Sequence, residues 1–551
     1  MNSEPARIPA RRELALVALA CALLFLVPAP WRALWSPDEG RYVEIAREMV
    51  VSGDWVTPRL DGLKYFEKPP LVYWLTAGAI ELFGLREGAL RAVPALLAVG
   101  GCLAAWGAGR RLFGARAGRL AALVLATSPY WFALAQTISL DMPVSALLAA
   151  GLLAFLVALT RAAGRERRLL LAAAYLAFAL ATLAKGLMGL VLPALVILPW
   201  LAWTGRWRRP LELAPLSGLL IVLAVAAPWH LVVAARNPDF AWFYFVHEHF
   251  DRFTTDVHRR VEPFWYFVPV LVGGLLPWTA VLPGALGRAW RAATAERDEA
   301  ARFLLLWAAV IFVFFSASHS KLPPYVLPAA PPLALLAGRW LGGAPKLARP
   351  AGALAVLAGL VAAALALAPR FARPGSGLED TLDAFGAWRW ALAAAALAVG
   401  AVAWGLRGDR RRWPGAVAAA TALFLVVTAA AAPALDGRRS VKDLALDLRG
   451  RLAAGDEVVA YGYYPQDLPV YLERRVAIAD YVGELEFGMR AEDQARWIFG
   501  RDEFFARWNG GGRVFVVARR SDWHEVEAGS ARPPVVLAGN RAYVLAVNRS
   551  D

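Results

Sequence analysis

The sequence predicts an α-helical polytopic integral membrane protein of about thirteen transmembrane helices, ending in a small C-terminal α/β domain. Composition gives the first reason. Of 551 residues, 59% are hydrophobic and 19% charged, with a mean hydropathy of +0.46, whereas soluble domains run nearer 45–50% apolar and about 25% charged. The second reason is the spacing of apolar runs, and the third is a change of character at Ala434. Residues 1–433 carry 42 Lys/Arg against 26 Asp/Glu, and residues 434–551 carry 17 against 18. The net charge of +15 therefore belongs to loops between apolar segments, which argues against a nucleic-acid partner. The composition also excludes a disordered chain and a disulfide scaffold: only Cys21 and Cys102 occur, both inside apolar runs, and they offer no cysteine-based zinc site.

A membrane helix needs roughly 20 apolar residues. Such stretches lie near 13–33, 87–109, 117–135, 142–160, 168–184, 187–204, 211–234, 263–284, 302–317, 323–340, 350–369, 386–406 and 413–433. The first follows Arg7, Arg11 and Arg12 but lacks a small-residue cleavage site, so it reads as a retained helix and not as a signal peptide. Arginines fill every second loop: Arg110 to Arg119, Arg161 to Arg168, Arg206 to Arg209, Arg288 to Arg297, Arg339 to Arg349 and Arg407 to Arg412. Basic loops stay in the cytoplasm. The N-terminus is then cytoplasmic, and residues 434–551 are periplasmic.

The opposite loops differ in character. Residues 34–86 are long, charged and aromatic, and residues 235–262 hold three of the six histidines. In Asp38–Val50, Tyr42, Ile45, Ala46 and Met49 share one helical face, with Glu44, Arg47 and Glu48 on the other. That pattern predicts an interfacial helix lying along the membrane, and Pro70–Phe83 offers a second. In the tail, Asp456–Tyr463, Arg513–Arg519 and Pro534–Val547 read as strands, and Arg438–Leu452 and Ala491–Trp508 as helices.

Candidate chemistry gathers in the same loops. Only six of 59 basic residues are lysine, and Lys64, Lys68, Lys185 and Lys321 fall at these loop positions, where a compact ammonium is called for in place of a planar guanidinium. Asp38 and Glu39 follow the first span. Asp38 reads as an N-cap and equally as a carboxylate presented to a reacting sugar. Glu67 and Lys68 are opposite charges locked by Pro69-Pro70 and preceded by Tyr65-Phe66, since a residue before proline is held extended. Asp141, just ahead of a span, again reads as an N-cap. His247 and His249 could bring two imidazoles together only in an extended segment.

Asp-Glu-Gly-Arg-Tyr at 38–42, Tyr-Phe-Glu-Lys-Pro-Pro at 65–70, Ser-Leu-Asp-Met-Pro at 139–143, Ala-Lys-Gly at 184–186, His-Glu-His-Phe-Asp-Arg-Phe at 247–253 and Ser-Lys-Leu-Pro-Pro-Tyr at 320–325 form a set. Together they resemble the bacterial aminoarabinose transferases of lipid A, within the protein-mannosyltransferase-like GT-C glycosyltransferases, over nearly the whole chain. The resemblance implies a transmembrane GT-C domain over 1–433, with interfacial helices in 34–86 and a second periplasmic loop at 235–262. It also implies a periplasmic domain over 434–551 and a site on the periplasmic face of the bacterial inner membrane. By the same resemblance Asp38 is the catalytic aspartate, and Glu67 and Lys68 are a charged pair near the donor phosphate. Arg41 and Tyr65 are their neighbours, and Asp141, Lys185, His249, Lys321 and Tyr325 are further substrate-binding residues. The implied partners are an undecaprenyl-phosphate-linked sugar as donor, lipid A or a related lipid as acceptor, and membrane lipids, with the chain acting as a monomer. No cofactor is required, and a divalent metal at Glu67 and His249 stays open.

The chemistry is coherent with that family. A departing phosphate needs cations, for which Lys68, Arg41, Lys185 and Lys321 are candidates, and a hydroxyl acceptor would need Asp38 as its base. A phosphate acceptor arrives already anionic. Alternatives within the enzyme class are glycosylation of protein or of another envelope glycan. A transporter would place charges mid-span and repeat one half in the other, and the sequence shows neither.

Overall fold

The computed structural model describes residues 9–208, 210–251, 262–343, 345–372 and 377–549, without the side chains of 210, 211, 248–251, 377 and 378. Two compact units emerge. One comprises Met1–Ala29 with Arg91–Ala430, the other Pro30–Leu90 with Ala431–Asp551. The long first loop and the C-terminal domain are thus one folded body, assembled from segments far apart in sequence.

Among the described residues, eight helices are long and apolar enough to cross a membrane: Glu87–Phe113, Asp141–Leu159, Arg165–Lys185, Pro215–Arg236, Glu299–Ala317, Ala348–Phe371, Trp388–Gly405 and Trp413–Arg439. The other five expected stretches are helical but short or broken. Ala10–Leu26 and Met188–Thr204 have 17 residues each. Phe264–Gly274 and Trp278–Thr294 form a pair bent by 105°, a ninth crossing if taken as one. Ala115–Ala126 stops before Ser128-Pro129, where Pro129–Ala135 restarts the helix. Pro323–Ala329 is a 3₁₀ turn leading into Ala330–Gly342. Proline explains most of these breaks, since it lacks an amide donor and restricts the residue before it.

Lipid gives helices little hydrophobic reason to associate, so they meet through small residues. A Cβ on Gly118 would fall 2.5 Å from the Trp106 carbonyl oxygen, and one on Gly338 would fall 2.5 Å from the Ala121 amide. Trp131, Trp200, Trp278, Trp307 and Trp413 are fully buried in this core, as are the free thiols Cys21 and Cys102. One carboxylate anchors the basic end. Glu13, 2% exposed, accepts from Trp106 Nε1 at 2.8 Å, Arg110 at 3.0 Å and Arg119 at 3.3 Å.

The second unit contains a hairpin, β1 (Arg59–Leu60) with β2 (Leu63–Lys64), and a six-stranded sheet. Its strands are β3 (Glu457–Tyr461), β4 (Ala477–Ala479), β5 (Ile498–Phe499), β6 (Val514–Arg519), β7 (Val535–Gly539) and β8 (Tyr543–Val547). The order is β5-β4-β3-β6-β8-β7. The first four are parallel, and β8 and β7 are antiparallel. The sequence reading differs at Ala491–Trp508: a short strand precedes the helix, which is confined to Arg501–Trp508. Of Arg438–Leu452, Arg438 and Arg439 end the short helix Asp436–Arg439, and Lys442–Arg449 forms a second.

A helix forms over Asp38–Ser52 as expected, but its polar face is not solvated. Glu44 is fully buried and forms an ion pair with Arg47, through bonds of 2.6 and 2.7 Å. At Gly40 a Cβ would lie 2.4 Å from the Asp467 amide, so the helix backbone rests directly on the C-terminal domain. Glu48 accepts from the Gly62 amide at 2.8 and 3.0 Å. Asp61, fully buried, accepts from the Val476 amide at 3.1 Å, with Arg475 at 3.9 Å.

Burial pushes the Asp61 carboxyl up to about 7 against the pull of Arg475 and the Val476 amide, and burial likewise raises Glu48, which also faces Glu44 and Asp61. A raised folded-state pKa means that the native state holds a proton that the unfolded chain releases near pH 4. The stability it contributes is full below that pH and declines as pH rises through about 7. The second unit should therefore be more stable at pH 5 than at pH 8, by on the order of 2 kcal/mol. Hydrogen exchange of peptides from 441–479 in the intact chain, corrected for intrinsic rates, measures this. Asp61→Asn should flatten the dependence, and an unchanged slope in that variant would remove Asp61 as its source.

Candidate functional site

The second unit presents the Asp38 group. Pro37, not Asp38, is the N-cap of helix Asp38–Ser52, and it offers no side-chain cap bond. Asp38 is the first helical residue, where a carboxylate complements the helix dipole. Its side chain is 57% exposed and lies 3.6 Å from Arg41, one helical turn on. Glu39 takes the opposite role. It is 1% exposed, forms an ion pair with Arg32 and accepts from the Trp35 amide at 2.9 Å. The two adjacent acids therefore separate into an exposed carboxylate and a buried staple.

Arg41 reaches Glu484 at 3.5 Å as well as Asp38. Burial works against its charge, but Tyr65, Glu484, Tyr42 and Glu67 outweigh it and raise the guanidinium pKa above its ordinary range. Glu484 is in turn bonded by the Tyr481 hydroxyl at 2.7 Å and by Gln466. Tyr65 is buried with its hydroxyl unbonded, and burial raises its pKa, reinforced by Glu67. The Lys68 ammonium donates to the Glu67 carbonyl at 2.6 Å, a contact that the Pro69-Pro70 stop holds in place by fixing the backbone. Sequence reasoning missed Glu484 and Tyr481, because a partner of Arg41 some 440 residues downstream leaves no local pattern.

The first unit holds the second group. Lys185 ends helix Arg165–Lys185, where its charge complements the C-terminal dipole, and Gly186 terminates that helix at φ +81°. Its ammonium forms an ion pair with Asp141 and lies 4.9 Å from the Tyr325 ring centre. Asp141 is the first residue of its helix, after Leu140 as N-cap, so the acid contributes a charge and no cap. Lys321 is 6% exposed and donates to the carbonyls of Ser318 at 2.7 Å and Glu262 at 2.9 Å. Nearby, the Ser316 and Ser320 hydroxyls are buried without a hydrogen-bond partner. Tyr325 packs on Phe315 at 5.5 Å, and the Tyr130 hydroxyl donates to the Pro323 carbonyl. Sequence thus brings Asp141, Lys185 and Tyr325 to one place, from three helices.

His249 belongs to the turn Trp242–Asp251, which is π-helical and not extended. The geometry that would set His247 and His249 side by side is absent, and the His249 side chain lies outside the described residues. Among the described residues no group of three or more His, Cys, Asp or Glu side chains is arranged to hold a metal ion.

The family model described as dolichyl-phosphate-mannose-protein mannosyltransferase matches residues 67–232, and the aminoarabinose transferase C-terminal domain matches residues 444–548. The undecaprenyl phosphate-α-4-amino-4-deoxy-L-arabinose arabinosyl transferase of Edwardsiella ictaluri is 37% identical over 64% of this chain, and the alignment spans 65% of that relative's length. That of Pectobacterium atrosepticum is 36% identical over 66% of this chain and 67% of its own. The crystal structure of ArnT from Cupriavidus metallidurans bound to undecaprenyl phosphate superposes with a TM-score of 0.88 at 31% identity, covering 98% of this chain and 99% of that one. The archaeal oligosaccharyltransferase AglB from Archaeoglobus fulgidus shares the fold alone, with a TM-score of 0.54 at 12% identity. The chain therefore belongs to the family of undecaprenyl phosphate-aminoarabinose arabinosyl transferases, within the GT-C superfamily.

Proposed function

We propose that the chain is an integral membrane glycosyltransferase that moves 4-amino-4-deoxy-L-arabinose from undecaprenyl phosphate to a phosphate of lipid A, at the periplasmic face of the bacterial inner membrane. The observation that carries this reading is the near-complete correspondence with a family member holding undecaprenyl phosphate. In the proposed step an acceptor phosphate oxygen attacks the anomeric carbon as its bond to the donor phosphate breaks. Undecaprenyl phosphate leaves with the electron pair. The acceptor needs no deprotonation, because a second phosphate pKa lies near 6. Asp38, exposed at a helix start, orients the acceptor and faces the positive charge that develops on the sugar.

The leaving phosphate calls for fixed cations. Charge stabilisation at a developing oxyanion is commonly the largest catalytic contribution. Lys185 is pre-positioned by Asp141 and Tyr325, Lys321 by two carbonyls, and Lys68 by its own turn. Lysine, a point charge, tolerates a phosphate that shifts during transfer, where a planar fork would fix it.

Three measurements test the reading. Transfer to purified lipid A, followed by mass spectrometry between about pH 5 and 8, should track ionisation of the acceptor. Asp38→Asn should lower the profile without changing its shape. Loss of its acidic limb, with a fall of about 10²–10⁴-fold, would make Asp38 a base and favour a hydroxyl acceptor. Lys185→Ala should cost transfer on the order of 10²-fold. The double variant Lys185→Ala/Asp141→Asn should recover any lost stability, since it no longer buries an unpaired acid, but not the activity. Recovery of activity in the double variant would leave the lysine a purely structural part. For orientation, single cysteines at Ser52 and Gly511, both exposed, should react with an impermeant thiol reagent applied from the periplasmic side, and one at Gly164 should not. The reverse pattern would invert the topology.

A further inference from the structure

The Tyr65–Lys68 segment stands on a support too small to hold itself. It leaves directly from β2, and β1 and β2 have two residues each, joined by Asp61-Gly62 at φ +51° and +79°. Both angles suit a two-residue hairpin turn, yet an isolated two-stranded hairpin is at best marginally stable in water. The hairpin makes few bonds of its own beyond the ladder. Arg59 donates to the Gly62 carbonyl at 2.8 Å, and the Tyr65 amide donates to the Pro58 carbonyl at 2.9 Å.

Outside support comes from the C-terminal part of the same unit. The short helix Glu486–Ala491 is followed by Glu492, whose amide donates to the Gly488 carbonyl at 3.1 Å. The Glu492 carboxylate meets both strands. It receives the Arg59 guanidinium on its two oxygens, at 2.9 and 3.1 Å, a paired geometry that adds orientation as well as energy. It also accepts from the Lys64 amide at 3.4 Å, with the Lys64 ammonium at 3.6 Å. Arg59 and Lys64 face each other in the hairpin register, so one carboxylate ties the open ends of the two strands. Packing reinforces the tie. A Cβ on Gly488 would lie 2.7 Å from the Leu63 Cβ and 2.9 Å from the Lys64 carbonyl oxygen, so only glycine lets the helix rest on the β2 backbone. Phe487 meets Phe66 edge-on, with ring centres 5.5 Å apart.

The chain between this tie and Lys68 has little slack. Tyr65 and Phe66 are buried, and Pro69-Pro70 fixes the backbone beyond. The segment is thus pinned at one end by Glu492 and at the other by two prolines, and a shift of the hairpin passes on to the Lys68 ammonium. A misplacement of about 1 Å in a reacting group can cost on the order of 10²-fold in rate. Given the role of Lys68 at the leaving phosphate, on which this rests, we propose that Glu492 is a positioning residue for Lys68. It fixes the hairpin from which the Tyr65–Lys68 segment departs, and it gives the C-terminal domain a part in transfer.

The test is a double-variant cycle on steady-state transfer from undecaprenyl-phosphate aminoarabinose to lipid A by the purified full-length chain. Glu492→Ala should lower kcat at least tenfold, and Lys68→Ala on the order of 10²-fold. Glu492→Gln keeps one acceptor oxygen and should recover part of the loss. A residue that acts through Lys68 has nothing to position once that ammonium is gone. Lys68→Ala/Glu492→Ala should therefore fall no further than Lys68→Ala alone, whereas a merely structural role would multiply the two losses. Arg59→Gln breaks the same tie from the hairpin side and should repeat the pattern, which keeps the test valid if Glu492→Ala fails to fold. Arg532→Ala, an exposed arginine outside the tie, should leave kcat unchanged. Multiplied losses, or an unchanged kcat in both Glu492→Ala and Arg59→Gln beside an active wild type, would overturn the assignment. Hydrogen exchange over residues 59–68 is read in parallel and needs no turnover. Glu492→Ala should speed it, and unchanged rates would overturn the tie even if the wild type forms no product, a result that would count separately against the transfer reaction.

Discussion

The second unit depends on one buried carboxylate. Asp467 receives the Ser36 hydroxyl at 2.5 Å, the Ser440 hydroxyl at 2.6 Å and the Val441 amide at 2.8 Å, and its own amide donates to Ser36 at 3.2 Å. Three chain segments meet there: the stretch after the first apolar helix, the stretch after the last, and the loop following β3. Its side chain is fully buried, and that burial lifts its pKa to about 6 in spite of those donors. Gly40 sits on the same residue's backbone, so the start of helix Asp38–Ser52 is placed by Asp467 through direct contact. The exposure of Asp38 and the burial of Glu39 follow from that placement. A helix seated in this register turns one acid outward and the next inward.

The apolar segments were readable because lipid demands length and hydrophobicity, and all thirteen stretches carry helices. Their continuity was not readable, because a proline break inside an apolar run changes direction without changing composition, as at Pro129 and Pro277. The helix Asp38–Ser52 was legible in position but not in environment. Its polar face implied water, yet Glu44 and Arg47 satisfy each other within the protein, and their helical neighbours are covered by a domain encoded some 390 residues later. The same distance hid Glu484 from the sequence reading of Arg41. The resemblance placed Lys185 and Asp141 among the substrate-binding residues but implied no pairing between them. Two charges 44 residues apart on different helices leave no periodic trace.

Basic residues divide by task. Arginine appears where geometry is rigid: the Glu13 anchor, the Arg41–Glu484 contact and Arg519 over the Tyr463 ring. Of the six lysines among 59 basic residues, Lys68, Lys185 and Lys321 are each seated by a carbonyl or a carboxylate, while Lys64 and Lys442 form ion pairs with Glu492 and Glu87.

The second unit is built from residues 30–90 and 431–551, and this has a consequence for biogenesis. At about 5–20 residues per second, synthesis of the intervening stretch occupies on the order of 20 to 70 s. Throughout that interval the first loop exists without its partner. Glu44 and Asp61, which are buried in the finished protein, are then in water. The acids that later make burial costly keep the nascent loop soluble while it waits, so its composition answers to an assembly order as well as to a final fold.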